Sequence, residues 1–127
     1  MMVGILLVSH VQSLADGVKD LAGLVAPSVP IVAVGGLSDG SAGTDVERIY
    51  TSLKEADQGD GVLIFMDLGS AVMSTEMALE IDPNDNYIMM NSPMVEGAIV
   101  AASAIEAGST LEEAHNLVES QKGVDKF

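Results

Sequence analysis

The chain has 127 residues, 48% hydrophobic but only 3% aromatic, enough for one domain with a core of Ala, Val, Ile, Leu and eight Met. It has no cysteine, which excludes disulfides and thiolate metal sites. Nineteen acidic residues against five basic ones give a net charge of -14; Lys19, Arg48, Lys54, Lys122 and Lys126 form no cluster, which excludes a grip on nucleic-acid phosphates.

The amino terminus is apolar but lacks the basic flank of a signal peptide. No apolar run reaches the roughly 18 to 20 residues that span a bilayer. The expected setting is cytoplasmic, with no membrane and no nucleic acid as partner. Val3 to Ser9 reads as a buried strand, with His10 just past its end. A helical pattern follows, with Leu14, Val18, Leu21 and Val25 on its apolar stripe and Ser13 with Asp16 as its cap. Ile31 to Val34 is the second strand. It runs into the Gly- and hydroxyl-rich segment Gly35-Gly36-Leu37-Ser38-Asp39-Gly40-Ser41-Ala42-Gly43-Thr44. Thr44 with Glu47 makes a capping box for a helix bearing Val46, Ile49, Tyr50 and Leu53. Val62 to Met66 is the third strand, and Asp67-Leu68-Gly69-Ser70 leads from it into a helix over Ser70 to Leu79. Tyr87 to Met90 is the fourth strand, followed by Asn91-Ser92 and an Ala-rich helix over Pro93 to Ala107. Thr110 with Glu113 caps a last helix, Leu111 to about Gln121.

None of the strands alternates polar and apolar residues, so both faces of the sheet are covered, as in parallel sheets. The expected fold class is an open three-layer α/β/α domain over residues 1–127, with a mainly parallel four-stranded sheet in the common order 2-1-3-4. No linker, repeat or low-complexity segment divides it.

In such a sheet the carboxyl ends of the strands share one edge, where open α/β folds bind ligands. That edge receives Ser9-His10, Gly35-Gly36, Asp67-Leu68-Gly69-Ser70 and Asn91-Ser92-Pro93. In the assumed order the first and third strands are neighbours, so His10 and Asp67 face each other. A carboxylate beside an imidazole fixes its tautomer and leaves the other nitrogen free as a nucleophile. Gly-rich turns and helix amino termini offer N–H groups to an anion, making Ser9, Gly35, Gly36, Gly69 and Ser70 candidates for a phosphate-binding loop. These loops contain no Lys or Arg. A phosphoryl group held by amides and hydroxyls alone remains easy to pass on, since strong clamping of the ground state raises the barrier to leaving.

Each residue also has a plainer reading. A single histidine after a strand is often a solvated loop residue, Asp67 alone also fits a turn or cap, and the 35–44 segment alone fits an ordinary loop. That segment matches neither the P-loop nor the dinucleotide fingerprint. His115 sits beside Glu112, Glu113 and Glu119 and reads as edge packing. Met66, Met73, Met77, Met89 and Met90 read as core filler.

The segment Gly4-Ile5-Leu6-Leu7-Val8-Ser9-His10 followed by a helix resembles the active-site start of the mannose-type EIIA domains of the phosphoenolpyruvate-dependent phosphotransferase system. Three further segments are similar to one branch of that family, the phosphotransferase subunits of bacterial dihydroxyacetone kinases. They are Asp39-Gly40-Ser41-Ala42-Gly43-Thr44-Asp45, Met66-Asp67-Leu68-Gly69-Ser70-Ala71 and Pro93-Met94-Val95-Glu96-Gly97-Ala98. The resemblance implies that His10 accepts a phosphoryl group from the phosphocarrier HPr and passes it to ADP on the nucleotide-binding subunit of the kinase. The regenerated ATP then phosphorylates dihydroxyacetone. The chain itself would bind no cofactor, with ADP, ATP and Mg held by the partner subunit and no metal site here. Asp67 would correspond to the carboxylate that orients the histidine, and the subunit would be a homodimer. Some members of the branch carry fused phosphocarrier and enzyme I-like domains; a 127-residue chain is expected to use separate carriers.

Two alternatives stand beside this reading. A mannose- or fructose-type EIIA domain of a sugar phosphotransferase system would also label on His10, but the sugar-transporting relatives often follow the third-strand Asp with a Gly-Gly-Ser-Pro-like run. Here Leu68-Gly69-Ser70-Ala71 stands instead. A non-catalytic flavodoxin-like or receiver-like module lacks its signals. A receiver needs an acidic cluster where Ser9-His10 stands, and a flavin needs aromatic shielding from a chain with no Trp.

Overall fold

The computed structural model describes residues 1–127. The elements follow in the order β1 (Gly4–Ser9), α1 (Gln12–Val25), β2 (Ile31–Gly35), α2 (Val46–Ala56), β3 (Val62–Met66), α3 (Gly69–Ile81), β4 (Tyr87–Met89), α4 (Met94–Glu106) and α5 (Leu111–Gln121). All strand pairs are parallel, as the apolar runs predict, and their order is β2-β1-β3-β4, the common order assumed above.

Strand parity divides the core into two layers. Ile5, Leu7, Leu63 and Phe65 point to one face, where α1, α4 and α5 cover them with Ala15, Val18, Ala22, Ala98, Ala102, Ala114 and Val118. Leu6, Val8, Val62 and Ile64 point to the other, under Ile49 and Leu53 of α2 and Ala71 and Ala78 of α3. The sheet supplies the bulk and the helices largely supply alanine, so they lie close to the strands. Gly97 of α4 shows how close: a Cβ there would stand 2.7 Å from the Phe65 ring.

This division of volume corrects two expectations. In α1 the buried residues are Ala15, Val18 and Ala22, while Leu14, Leu21 and Val25 remain about half exposed. Periodicity alone favoured the larger side chains, but Ile5, Leu7 and Phe65 already fill the space beneath the helix. In α3, Met73 and Met77 are exposed and are not core filler; Ala71, Thr75 and Ala78 are the buried residues. Met90 is buried, and Met66 and Met89 pack against the core from partly buried positions.

Two caps also differ. The cap of α2 is Asp45, whose Oδ1 accepts from Glu47 N–H and Arg48 N–H at 3.0 and 3.2 Å. Thr44 is unavailable because its hydroxyl pairs with Ser74 of α3 at 2.7 Å. Ser13 and Asp16 do not cap α1, which begins at Gln12 with Val11 in the cap position and no side-chain cap. The Thr110–Glu113 capping box of α5 forms as expected. His115 lies on that helix with Glu119 at 3.8 Å.

The register sets the site. Val8 of β1 is aligned with Met66 of β3, and Asp67 N–H donates to Val8 C=O at 3.1 Å. Ser9-His10 and Asp67 therefore leave the sheet side by side. Phe65, the largest fully buried side chain, anchors this pairing. Phe65→Ala is expected to lower the urea-unfolding free energy by about 3–5 kcal/mol, which equilibrium denaturation followed by circular dichroism would measure.

Candidate active site

Asp67 occupies the centre of the carboxyl edge. Its Oδ2 accepts from Ser9 Oγ–H and from His10 backbone N–H, both at 2.9 Å. Its Oδ1 lies 2.9 Å from His10 Nδ1 and accepts from Leu68 N–H at 2.6 Å. Burial pushes the Asp67 carboxyl up, but the bonds from His10 N–H, the imidazole, Ser9 and Leu68 N–H outweigh it and hold the group below the usual carboxylate range. An ionised carboxylate only accepts, so Nδ1 carries the ring proton and Nε2 presents its lone pair.

Nε2 meets the hydroxyl of Ser70, which in this tautomer is the donor. Ser70 is the second residue of α3, a helix whose amino terminus has no side-chain cap. Ala71 N–H and Val72 N–H turn back to Leu68 C=O, which leaves the amides of Gly69 and Ser70 without an intrahelical acceptor. The Ser70 hydroxyl, at the amino terminus of a helix, thus lies where charge on a group attached to Nε2 would be placed.

Of the residues anticipated from sequence, His10, Asp67, Ser70 and Gly69 come together. Ser9 is 1% exposed and serves the site from behind, donating to Asp67 while its Oγ accepts from Val11 N–H at 3.0 Å. Gly35 and Gly36 are brought to the edge but face its backbone. Gly35 N–H donates to Gln12 Oε1 and Gly36 N–H to Ser9 C=O. A Cβ on Gly35 would stand 2.7 Å from the Val11 carbonyl carbon, and Gly36 has a φ of 69°. These glycines are required by close approach to the chain that carries His10, and their amides are already engaged.

The sequence reading missed Gln12 and Arg48. The Arg48 guanidinium, from α2, reaches under the glycine loop and donates to Gly35 C=O and Gly36 C=O. No spacing rule announces it, because its partners are main-chain carbonyls set by the crossover. An open groove of about 520 Å³ runs beside Asp67 along Leu68, Gly69, Val72, Met89 and Asn91. A larger one, about 710 Å³, lies at the opposite edge of the sheet around Val3, Gly59, Asn86 and Thr110, away from His10.

Comparison with known proteins identifies the family and agrees with the fold. Residues 4–115 match the family model EIIA-man, described as PTS system fructose IIA component. The chain is 38% identical over 109 residues to the PTS-dependent dihydroxyacetone kinase phosphotransferase subunit DhaM of Lactococcus lactis subsp. lactis, covering 86% of this chain and 87% of that protein. It is 37% identical over 103 residues to the phosphoryl donor subunit DhaM of PEP-dependent dihydroxyacetone kinase 1 of Listeria innocua, covering 81% and 82%. The crystal structure of EF1359, a protein described as of unknown function, superposes with a TM-score of 0.88 at 34% identity, covering 100% of this chain and 99% of that one.

The depressed Asp67 carboxyl makes a signed prediction. Its contribution to stability is complete above the unfolded-state value, about pH 4, and is lost as pH falls through the lower folded-state value. Urea denaturation at pH 7 and pH 3 should show wild-type protein losing more stability on acidification than Asp67→Asn. Equal losses would mean that the carboxylate is not held ionised by these bonds.

Proposed function

This chain belongs to the EIIA-man family of phosphotransferase-system components, and we propose that it is the phosphoryl-donor subunit of a phosphoenolpyruvate-dependent dihydroxyacetone kinase. The relatives that carry that name support the kinase role. The observation that carries the chemistry is His10 itself, with Nδ1 bound to the ionised Asp67 and Nε2 beside Ser70 at the open edge.

In this reading the Nε2 lone pair attacks the phosphorus carried by phospho-HPr. The nitrogen–phosphorus bond to the carrier breaks, and its electron pair stays with the carrier's imidazole. The Nδ1 proton remains on His10, so the phosphorylated ring is cationic and Asp67 offsets the charge at 2.9 Å. Ser70 O–H turns from Nε2 to a phosphoryl oxygen, and the amides of Gly69 and Ser70 supply further donors. In the second half-reaction a terminal phosphate oxygen of ADP attacks the phosphorus. The electron pair of the Nε2–P bond returns to Nε2, and a neutral imidazole with its proton on Nδ1 is restored. The proton does not move in either step. Asp67 makes the ring a nucleophile and then a good leaving group by the same hydrogen bond.

ADP and its magnesium belong, in this proposal, to the nucleotide-binding subunit of the kinase. A chain of net charge -14 is poorly suited to hold a polyanionic nucleotide. The subunit acts as a cytoplasmic homodimer with HPr as donor. Leu14 and Leu21 of α1 on one side of the sheet, and Met73 and Met77 of α3 on the other, are separate exposed apolar positions available for association.

Incubation with phosphoenolpyruvate, enzyme I and HPr is expected to label His10 alone, giving an acid-labile, base-stable phosphoprotein. His10→Ala should take no label, and Asp67→Ala should fold yet transfer roughly 10²-fold more slowly. Labelled protein should lose its phosphoryl group to an ADP-loaded kinase subunit but not to free Mg-ADP, and the transfer should slow as salt rises. Transfer to a sugar-permease subunit alone would instead make the chain a sugar-system EIIA.

A further inference from the structure

Arg48 is an unusual cation. The chain has 19 acidic residues, yet Arg48 enters none of its ion pairs; those are made by Lys54, Lys122, Lys126, His10 and His115. The guanidinium is spent on main-chain and amide oxygens instead. Nη1 donates to Gly35 C=O at 3.3 Å and to Gly36 C=O at 3.1 Å, and Nη2 donates to Gln12 Oε1 at 3.2 Å. Gln12 is equally committed. Its Oε1 also accepts from Gly35 N–H at 3.0 Å, and its Nε2 donates to Ala33 C=O at 3.1 Å and Asp16 Oδ1 at 2.9 Å.

These bonds converge on the backbone that carries the histidine. Gln12 is two residues beyond His10 and opens α1. Gly36 N–H donates to Ser9 C=O at 3.3 Å, and Gly43 N–H donates to His10 C=O at 2.9 Å. The glycine loop therefore hangs by its two ends on Ser9 and His10, and Arg48 fixes the first of those ends. Asp67 holds the ring, His10 N–H and the Ser9 hydroxyl from the β3 side, and Gln12 with the glycine loop holds the same turn from the β2 side.

We propose that Arg48 and Gln12 form one positioning brace that fixes the turn bearing His10, and so sets the tautomer and aim of its imidazole. The inference rests on His10 being the phosphorylated residue. Neither side chain touches the transferred group; both act through Gly35, Gly36 and the turn. The guanidinium is suited to this task because one rigid fork reaches three acceptors from a single helix position, which a lysine ammonium on a flexible stem does not reproduce.

The test uses the full chain with phospho-HPr in single-turnover phosphorylation, together with ¹⁵N NMR of the His10 ring. In folded Arg48→Met the rate at saturating phospho-HPr should fall about tenfold, with the half-saturating concentration unchanged. The ring nitrogens should shift from one Nδ1–H tautomer toward a mixture. Arg48→Lys should behave as Arg48→Met, and Gln12→Ala should cost nearly as much alone as together with Arg48→Met, the signature of one unit. Wild-type rates and ring signals in folded Arg48→Met would overturn the brace. Full rescue by Arg48→Lys would also overturn it, because charge and not geometry would then be at work. If Arg48→Met does not fold, Gln12→Ala and Arg48→Lys, which leave part of the bonding in place, decide the matter by the same readouts. Absence of any His10 label in wild-type protein would instead remove the functional reading, and the ring signals of the unphosphorylated variants would still test the brace.

Discussion

The Asp67 carboxylate takes four donors: Ser9 Oγ–H and His10 N–H on one oxygen, His10 Nδ1–H and Leu68 N–H on the other. Those donors come from the end of β1, the turn into α1 and the turn into α3. One acid therefore joins three chain segments that parallel pairing alone would leave as loose ends. A half-occupied carboxylate at this depth would be costly, since a buried charge without partners is disfavoured. With all four bonds made, its ionisation becomes favourable, and the charge dictates which ring nitrogen is bare. The architecture and the proposed chemistry thus depend on the same few hydrogen bonds.

Much of this was legible in the sequence, for physical reasons that can be named. The unbroken apolar runs Gly4–Ser9 and Val62–Met66 are what two-sided burial requires, and they pointed to a parallel sheet, while its order was taken from the commonest arrangement of such sheets. That order placed His10 beside Asp67. What failed to show was whatever depends on volume or on main-chain partners. The face of α1 was misread because the largest apolar residues were assumed to be innermost, whereas the sheet's own Ile5, Leu7 and Phe65 leave room for alanine only. Thr44 looked like a cap until the neighbouring Asp45 proved better placed and Ser74 claimed the hydroxyl. The need for glycine at position 35 was not visible either, because it comes from the close approach of the Val11 backbone. Arg48 and Gln12 bind main-chain atoms, and no side-chain motif records such bonds.

The charge arrangement at this edge has its own logic. The cation nearest the strand ends is turned to carbonyls beneath the loop, and no lysine shares the edge. The donors left for a phosphoryl group are a hydroxyl and helix-terminal amides, which are neutral dipoles. Such donors hold a dianion less tightly than a guanidinium would, and a weakly held group is released at lower cost. For a protein proposed to receive and surrender the same group, affinity in the resting state would be a hindrance.

His10 and Asp67 are 57 positions apart, and the pairing that unites them is between strands separated by α1, β2 and α2. Parallel pairing of this kind must close a long loop before it gains anything, so it is intrinsically slow to form. Until β3 has docked on β1, the histidine is an ordinary solvated imidazole with no fixed tautomer. A nascent chain still short of residue 67, or one unfolded through its middle, therefore carries the residue but not its reactivity. In the function proposed above, competence at His10 would therefore depend on the completed sheet, and misfolded copies would not draw phosphoryl groups from the donor.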